Sequence, residues 1–91
     1  MFTVYILYSY NFKKIYIGYT SNLLHRFHSH NKFATKGHTI KYRPWHVIYC
    51  EHFILKNDAM TKEKTMKSGK GREWIWENIN QNLILKGYIS A

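Results

Sequence analysis

Between Lys13 and His30 the chain reads KKIYIGYTSNLLHRFHSH, which crowds Tyr16, Gly18, Arg26 and His30 together with lysines and two further histidines. A second phenol, Tyr5, stands upstream of Tyr16, and the ten residues Ile6 to Ile15 separate the two. Phenols and imidazoles move protons, while guanidinium and ammonium groups hold phosphate oxygens through charge-assisted hydrogen bonds. The pattern therefore suits proton transfer beside a phosphate.

Glu63 is a further anomaly. In a helix running from Asn57 to Ser68 the apolar positions are Ala59, Met60 and Met66, and Glu63 falls inside their stripe. A carboxylate turned toward a core needs a partner, because burying it alone is costly. Either a cation such as Arg26 or Arg72 pairs with it, or it holds a metal ion at the edge of a cleft. Zinc is not expected: His25, His28 and His30 do not share a helix face, and the single cysteine, Cys50, offers no Cys pair.

The elements that must position these groups follow from periodicity. TVYILY (Thr3–Tyr8) and KIYIGYT (Lys14–Thr20) read as the strands of a β-hairpin around the turn-like SYNFK. With Tyr8 opposite Ile15, one face carries Tyr5, Leu7, Tyr16 and Gly18, and the other Val4, Ile6, Ile15 and Ile17. Two phenols are then expected to look out over a patch floored by glycine. Ser21 or Thr20 is expected to cap a helix that starts at Asn22, turns Leu23, Leu24 and Phe27 inward and ends near Asn31 to Phe33. Arg26 and His30, four residues apart, lie along one edge of its stripe. By itself that pair also fits the charged border of an ordinary amphipathic helix.

FATKGHTIKYRP (33–44) has no clean period and reads as a basic loop, and WHVIYCEHF (Trp45–Phe53) as a third strand with Cys50 in its core. Asn57 and Asp58 are expected to cap the second helix, with Gly69 in a left-handed position at its end, and a third helix follows Gly71 through Trp74, Ile75, Trp76 and Ile79. Trp74 and Trp76 fit either a core or a dimer surface. The expected class is α+β, a three-stranded antiparallel sheet flanked by helices in the order ββαβαα, with residues 1–82 as the domain and 83–91 as a tail.

Composition narrows the partner. Fourteen Lys and Arg against five acids give +9, which favours a polyanion because each neutralised phosphate releases condensed counterions. Lys32, Lys36, Lys41, Arg43, Lys62, Lys64, Lys67, Lys70 and Arg72 are candidate phosphate contacts, or a solvated face. Hydrophobic residues at 45% and aromatics at 18% exclude a disordered chain, and no apolar run is long enough to span a membrane. The N-terminus lacks the leading basic region of a signal peptide, and one cysteine makes a reducing, cytoplasmic setting the default.

Five ordered segments resemble the GIY-YIG endonuclease superfamily, in particular its small single-domain bacterial members. They are Thr3-Val4-Tyr5, with threonine where the first signature has glycine; Tyr16-Ile17-Gly18, intact; RFHSH with Arg26 and His30; Arg43-Pro44-Trp45 within KYRPWHVIYCEHF; and AMTKE with Glu63. The resemblance implies a nuclease fold and a one-metal hydrolysis of DNA, with RNA left open. It also implies a role in repair or recombination, and a site of Tyr5, Tyr16, Arg26, His30 and Glu63. Glu63 would hold Mg²⁺, or Mn²⁺ in its place. Gly18, Lys14, Lys41, Arg43, Lys67 and Arg72 would contact substrate, Gly18 by letting its backbone approach the sheet.

Tyrosine is a poor base at its ordinary pKa of about 10, so Tyr5 needs a nearby cation or metal that favours phenolate, and Tyr16, Lys13 and Lys14 are candidates for that tuning. The rival reading is a noncatalytic nucleic-acid-binding module whose tyrosines or Trp45 stack bases.

Overall fold

The computed structural model describes residues 1–33 and 37–85, so Lys36 and the end of the chain at 86–91 lie outside the described residues. Strand β1 (Phe2–Ser9) is the middle strand of an antiparallel sheet, between β2 (Lys14–Thr20) and β3 (His46–Phe53). Because both of its faces are covered, Thr3 to Ser9 are all buried, which is why this strand is apolar without alternation. The register is the expected one: Tyr8 faces Ile15, Leu7 faces Tyr16 and Tyr5 faces Gly18. Lys13 closes the hairpin turn at φ 54°, its N–H donating to the Ser9 carbonyl at 2.8 Å.

After β2 comes α1 (Leu23–His28), which continues into a π-helical turn, Ser29–Phe33. Asn22 caps α1, in place of the expected Ser21 or Thr20: its Oδ1 accepts from the His25 N–H at 3.1 Å, while Thr20 Oγ1 accepts from the Asn22 N–H at 3.1 Å. Leu23 and Phe27 pack inward as expected, but Leu24 points to solvent, since six residues of helix bury only a narrow stripe. The segment expected to be a plain loop contains a 3₁₀ turn, His38–Tyr42, and Trp45 precedes β3 as a buried plug.

Helix α2 (Lys56–Lys67) leads directly into α3 (Gly69–Leu85), which completes the order ββαβαα. Leu55 occupies the cap position of α2, so Asn57 and Asp58 lie inside its first turn, where the Asp58 carboxylate complements the helix dipole. Gly69 is not left-handed. Extended Ser68 ends α2 instead, its hydroxyl donating to the Thr65 carbonyl at 2.6 Å and accepting from the Gly71 N–H at 3.2 Å. Gly71 is the glycine that this tight junction needs, because a Cβ there would run into the carbonyl oxygens of Thr65 and Met66. Helix α3 passes through the boundary expected at residue 82.

Two cores result, one on each side of the sheet. Ile6, Tyr8, Ile17, Met66, Ile75 and Ile79 join β1 and β2 to α2 and α3, with Trp76 half-buried against them. Tyr5, Leu7 and Trp45 form the other core with Tyr16, Leu23, Phe27 and Tyr42. That second cover does not extend over β3. Cys50, expected in the core, is exposed together with Val47 and His52, which pair with Leu7 and Thr3 on the same side. No helix among the described residues is long and apolar enough to cross a membrane.

Candidate active site

The hairpin register sets Tyr5 and Tyr16 on one face, their rings 6.2 Å apart between centroids. Gly18 explains how they fit: a Cβ there would lie 2.7 Å from the Tyr5 Oη and 3.1 Å from the Tyr16 Cε1. The space above this glycine is thus filled by the Tyr5 phenol, and not left for a substrate backbone as expected. Tyr5 is 1% exposed, so it does not look out over the patch; it is the floor of the site, and half-buried Tyr16 forms its side.

His30 and Arg26 come from the helical segment above. His30 is buried, its Nε2 lies 3.2 Å from the Tyr5 hydroxyl, and its ring is 4.6 Å from that of Tyr16. Arg26 is exposed overall, and its guanidinium lies close enough to the two tyrosine hydroxyls to act on the pKa of Tyr5. Burial, with Tyr16 and the Glu63 carboxylate, pushes the Tyr5 pKa up to about 12, against the lowering effect of Arg26. Lys13 and Lys14 are not among the groups that tune it. Burial and the positive charges of Arg26 and Arg43 lower the pKa of His30, which is neutral at pH 7. Contact with Tyr5 raises that of Arg26.

The π-helical turn that carries His30 is latched by Asn31, Thr39, Arg43 and Trp45, of which only Thr39 had no expected role beyond the aperiodic segment 33–44. Asn31 Nδ2 donates to the Trp45 carbonyl at 3.0 Å, and the Trp45 N–H donates to Asn31 Oδ1 at 2.6 Å. Arg43 donates through Nε to the His30 carbonyl at 2.5 Å and through Nη2 to that of Ser29 at 3.1 Å. Thr39, also buried, places Oγ1 3.0 Å from His30 Nδ1 and accepts from Trp45 Nε1 through its carbonyl at 2.8 Å. Pairing of a side-chain amide with a tryptophan backbone fourteen residues away leaves no periodic trace in the sequence.

Glu63 pairs with neither Arg26 nor Arg72. Its Oε1 accepts from Lys67 Nζ at 3.1 Å, one turn along the same helix, which is the favoured order for a glutamate and a lysine four apart. Met60 beside it is exposed, so the apolar stripe of α2 reduces to Ala59 and Met66. Glu63 borders an open hollow with Tyr19, Asn57, Met60, Thr61 and Lys64. Among the described residues no three His, Cys, Asp or Glu side chains gather. A lone hard carboxylate on an open rim nevertheless fits Mg²⁺, which keeps several waters and takes one or two carboxylates together with substrate phosphates.

Of the expected substrate contacts, Lys14 Nζ stands 5.6 Å over the Tyr42 ring, Lys41 is exposed on the 3₁₀ turn, and Lys67 is engaged by Glu63. Arg43 serves as a latch, and Arg72 donates to the Lys67 carbonyl at 3.2 Å, which secures the end of α2.

Comparison with known proteins agrees with this geometry. The GIY-YIG catalytic domain family matches residues 1–80. A UPF0213 protein of Streptococcus pneumoniae is 33% identical over 72 residues, covering 76% of this chain and 73% of the relative. One from Limosilactobacillus reuteri is 35% identical over 72 residues, covering 77% and 74%. A third, from Oceanobacillus iheyensis, is 38% identical over 55 residues, covering 60% of this chain and 64% of its own length, and a Pediococcus pentosaceus relative is spanned to 56%. No solved structure matches. With the paired tyrosines, the arginine and histidine above them and the family match over nearly the whole chain, the protein belongs to the GIY-YIG family, a nuclease-type family.

Proposed function

We propose that the protein is an endonuclease that hydrolyses phosphodiester bonds of DNA with Mg²⁺, or Mn²⁺ in its place, in the manner of repair and recombination nucleases. The observation that carries this reading is His30 Nε2 3.2 Å from the Tyr5 hydroxyl with the Tyr16 ring beside both, and the Arg26 cation acting on Tyr5.

Arg26, the exposed member, meets the nonbridging oxygens of the phosphate and stabilises the charge that develops there. Tyr5 is a phenol at neutral pH and cannot serve as a standing base. It can pass a proton: as its oxygen takes one from the attacking water, its own proton moves to neutral His30. Hydroxide equivalent goes to phosphorus as the bond from phosphorus to the leaving oxygen breaks, that oxygen departing to take a proton from solvent; Tyr5 stays neutral, and His30 becomes an imidazolium. Glu63 would hold the metal ion, with Lys67 giving way, and when bound the ion supplies charge neutralisation and a more acidic water.

The engagement of Glu63 by Lys67 and the high pKa of Tyr5 also fit a module that binds nucleic acid without cleaving it. Purified protein incubated with duplex, single-stranded and branched DNA separates the two readings. The nuclease cleaves at least one of them in Mg²⁺ or Mn²⁺ and stops on chelation. Binding that ignores chelator and Glu63→Ala, with no cleavage of any substrate, establishes the module instead.

A further inference from the structure

His30 stands between two hydroxyls, with Nδ1 3.0 Å from Thr39 Oγ1 and Nε2 3.2 Å from Tyr5 Oη. His30 and Thr39 are 6% and 7% exposed, so protein groups set the directions of these hydrogen bonds. A neutral imidazole carries one N–H; it donates on one side and accepts on the other. The proton path of the nuclease reading decides which: the Tyr5 proton can pass to Nε2, 3.2 Å away, only where that nitrogen is bare. The ring proton then belongs on Nδ1, from which it is donated to Thr39 Oγ1.

We infer that Thr39 is a positioning residue that holds His30 as the Nδ1–H tautomer, leaving Nε2 as the acceptor for the Tyr5 proton. Its catalytic consequence rests on the nuclease reading above. In the step concerned, the O–H bond of Tyr5 breaks as an N–H bond forms at Nε2, and the Nδ1 proton stays on its bond to Thr39. The imidazolium is thereby formed with both N–H groups satisfied.

Thr39 is well placed for this task. Its carbonyl is fixed by Trp45 Nε1, so the hydroxyl projects from a held backbone. The charged groups facing the ring are Arg26 from α1 and Arg43 from the segment before β3, and the phenols are Tyr5 and Tyr16. Both cations disfavour a standing imidazolium, which keeps the ring neutral until Tyr5 gives up its proton.

The test is long-range ¹H–¹⁵N NMR of the full chain carrying ¹⁵N-histidine, at pH 8, with His30→Gln identifying the ring among the six histidines. Wild type is expected to show a protonated Nδ1 and a bare Nε2 at His30, Thr39→Ser to keep that pattern, and Thr39→Val to shift population to Nε2–H. In cleavage assays Thr39→Val is expected to lower kcat about tenfold with KM changed less than about twofold, and Thr39→Ser to restore it. A wild-type ring protonated at Nε2 overturns the inference, as does a Thr39→Val spectrum identical to wild type. If Thr39→Val does not fold, the wild-type spectrum decides. Absence of cleavage by wild type defeats the nuclease reading, while the spectra still judge the tautomer.

Discussion

A methyl group at position 18 would sit 2.7 Å from the Tyr5 Oη and 2.9 Å from its Cζ, well inside contact distance. Since Tyr5 is buried against His30 and Tyr16, it has little room to yield. Gly18→Ala is therefore expected to cost about 1–3 kcal/mol of stability, read from urea unfolding, and to displace the phenol. His30 carries a pH signature. Its pKa in the folded protein is below the ordinary 6.5, so the unfolded chain binds the proton more readily. The stability tied to this ring is complete above about 6.5 and is lost as pH falls through the lower, folded pKa. His30→Gln is expected to flatten that part of the stability profile, and an unchanged slope would contradict the assignment. Tyr5, Tyr16, Arg26 and His30 were legible from hairpin register and helix spacing. Thr39 was not, because a hydroxyl in an aperiodic segment shows its partner only once the chain has folded.

At the scale of elements, the π-helical turn Ser29–Phe33 is fastened by a latch from outside it. Asn31 and the Trp45 backbone satisfy each other twice in a half-buried setting, so Asn31→Ala leaves groups of Trp45 unpaired and should cost about 1–3 kcal/mol. Arg43 reaches two adjacent carbonyls, and lysine cannot reproduce that fork. Arg43→Lys should accordingly lose stability in the same unfolding assay, whereas a mere phosphate contact would tolerate the change. The strands and the helix order were readable because period-two and period-3.6 patterns survive in the sequence. Helix ends were not, since Asn22, Ser68 and Gly71 act through local geometry that several neighbouring residues could also have supplied. Cys50 was misplaced because VIYC looks like a core strand, while the second core covers only the β1 and β2 part of that face.

For the whole molecule, +9 of net charge on a 91-residue chain gives association a strong electrostatic component. A footprint of about four phosphates lowers affinity by about a hundredfold between about 50 and 200 mM salt, a slope that fluorescence anisotropy with labelled DNA can measure. A flat response would contradict a phosphate-tracking surface. Charge and composition made a polyanion partner legible, but they do not distinguish holding a strand from cutting it. On the proposed nuclease reading that distinction lies in the carboxylate of Glu63, whose charge acts on Tyr5. The most direct measurement is cleavage of labelled branched, duplex and single-stranded DNA by wild type and Glu63→Gln, side by side in Mg²⁺. Wild type is expected to cut at least one of them, and Glu63→Gln to lose about a hundredfold or more in rate while still binding. Equal cleavage by both proteins, or none by wild type, would contradict the account.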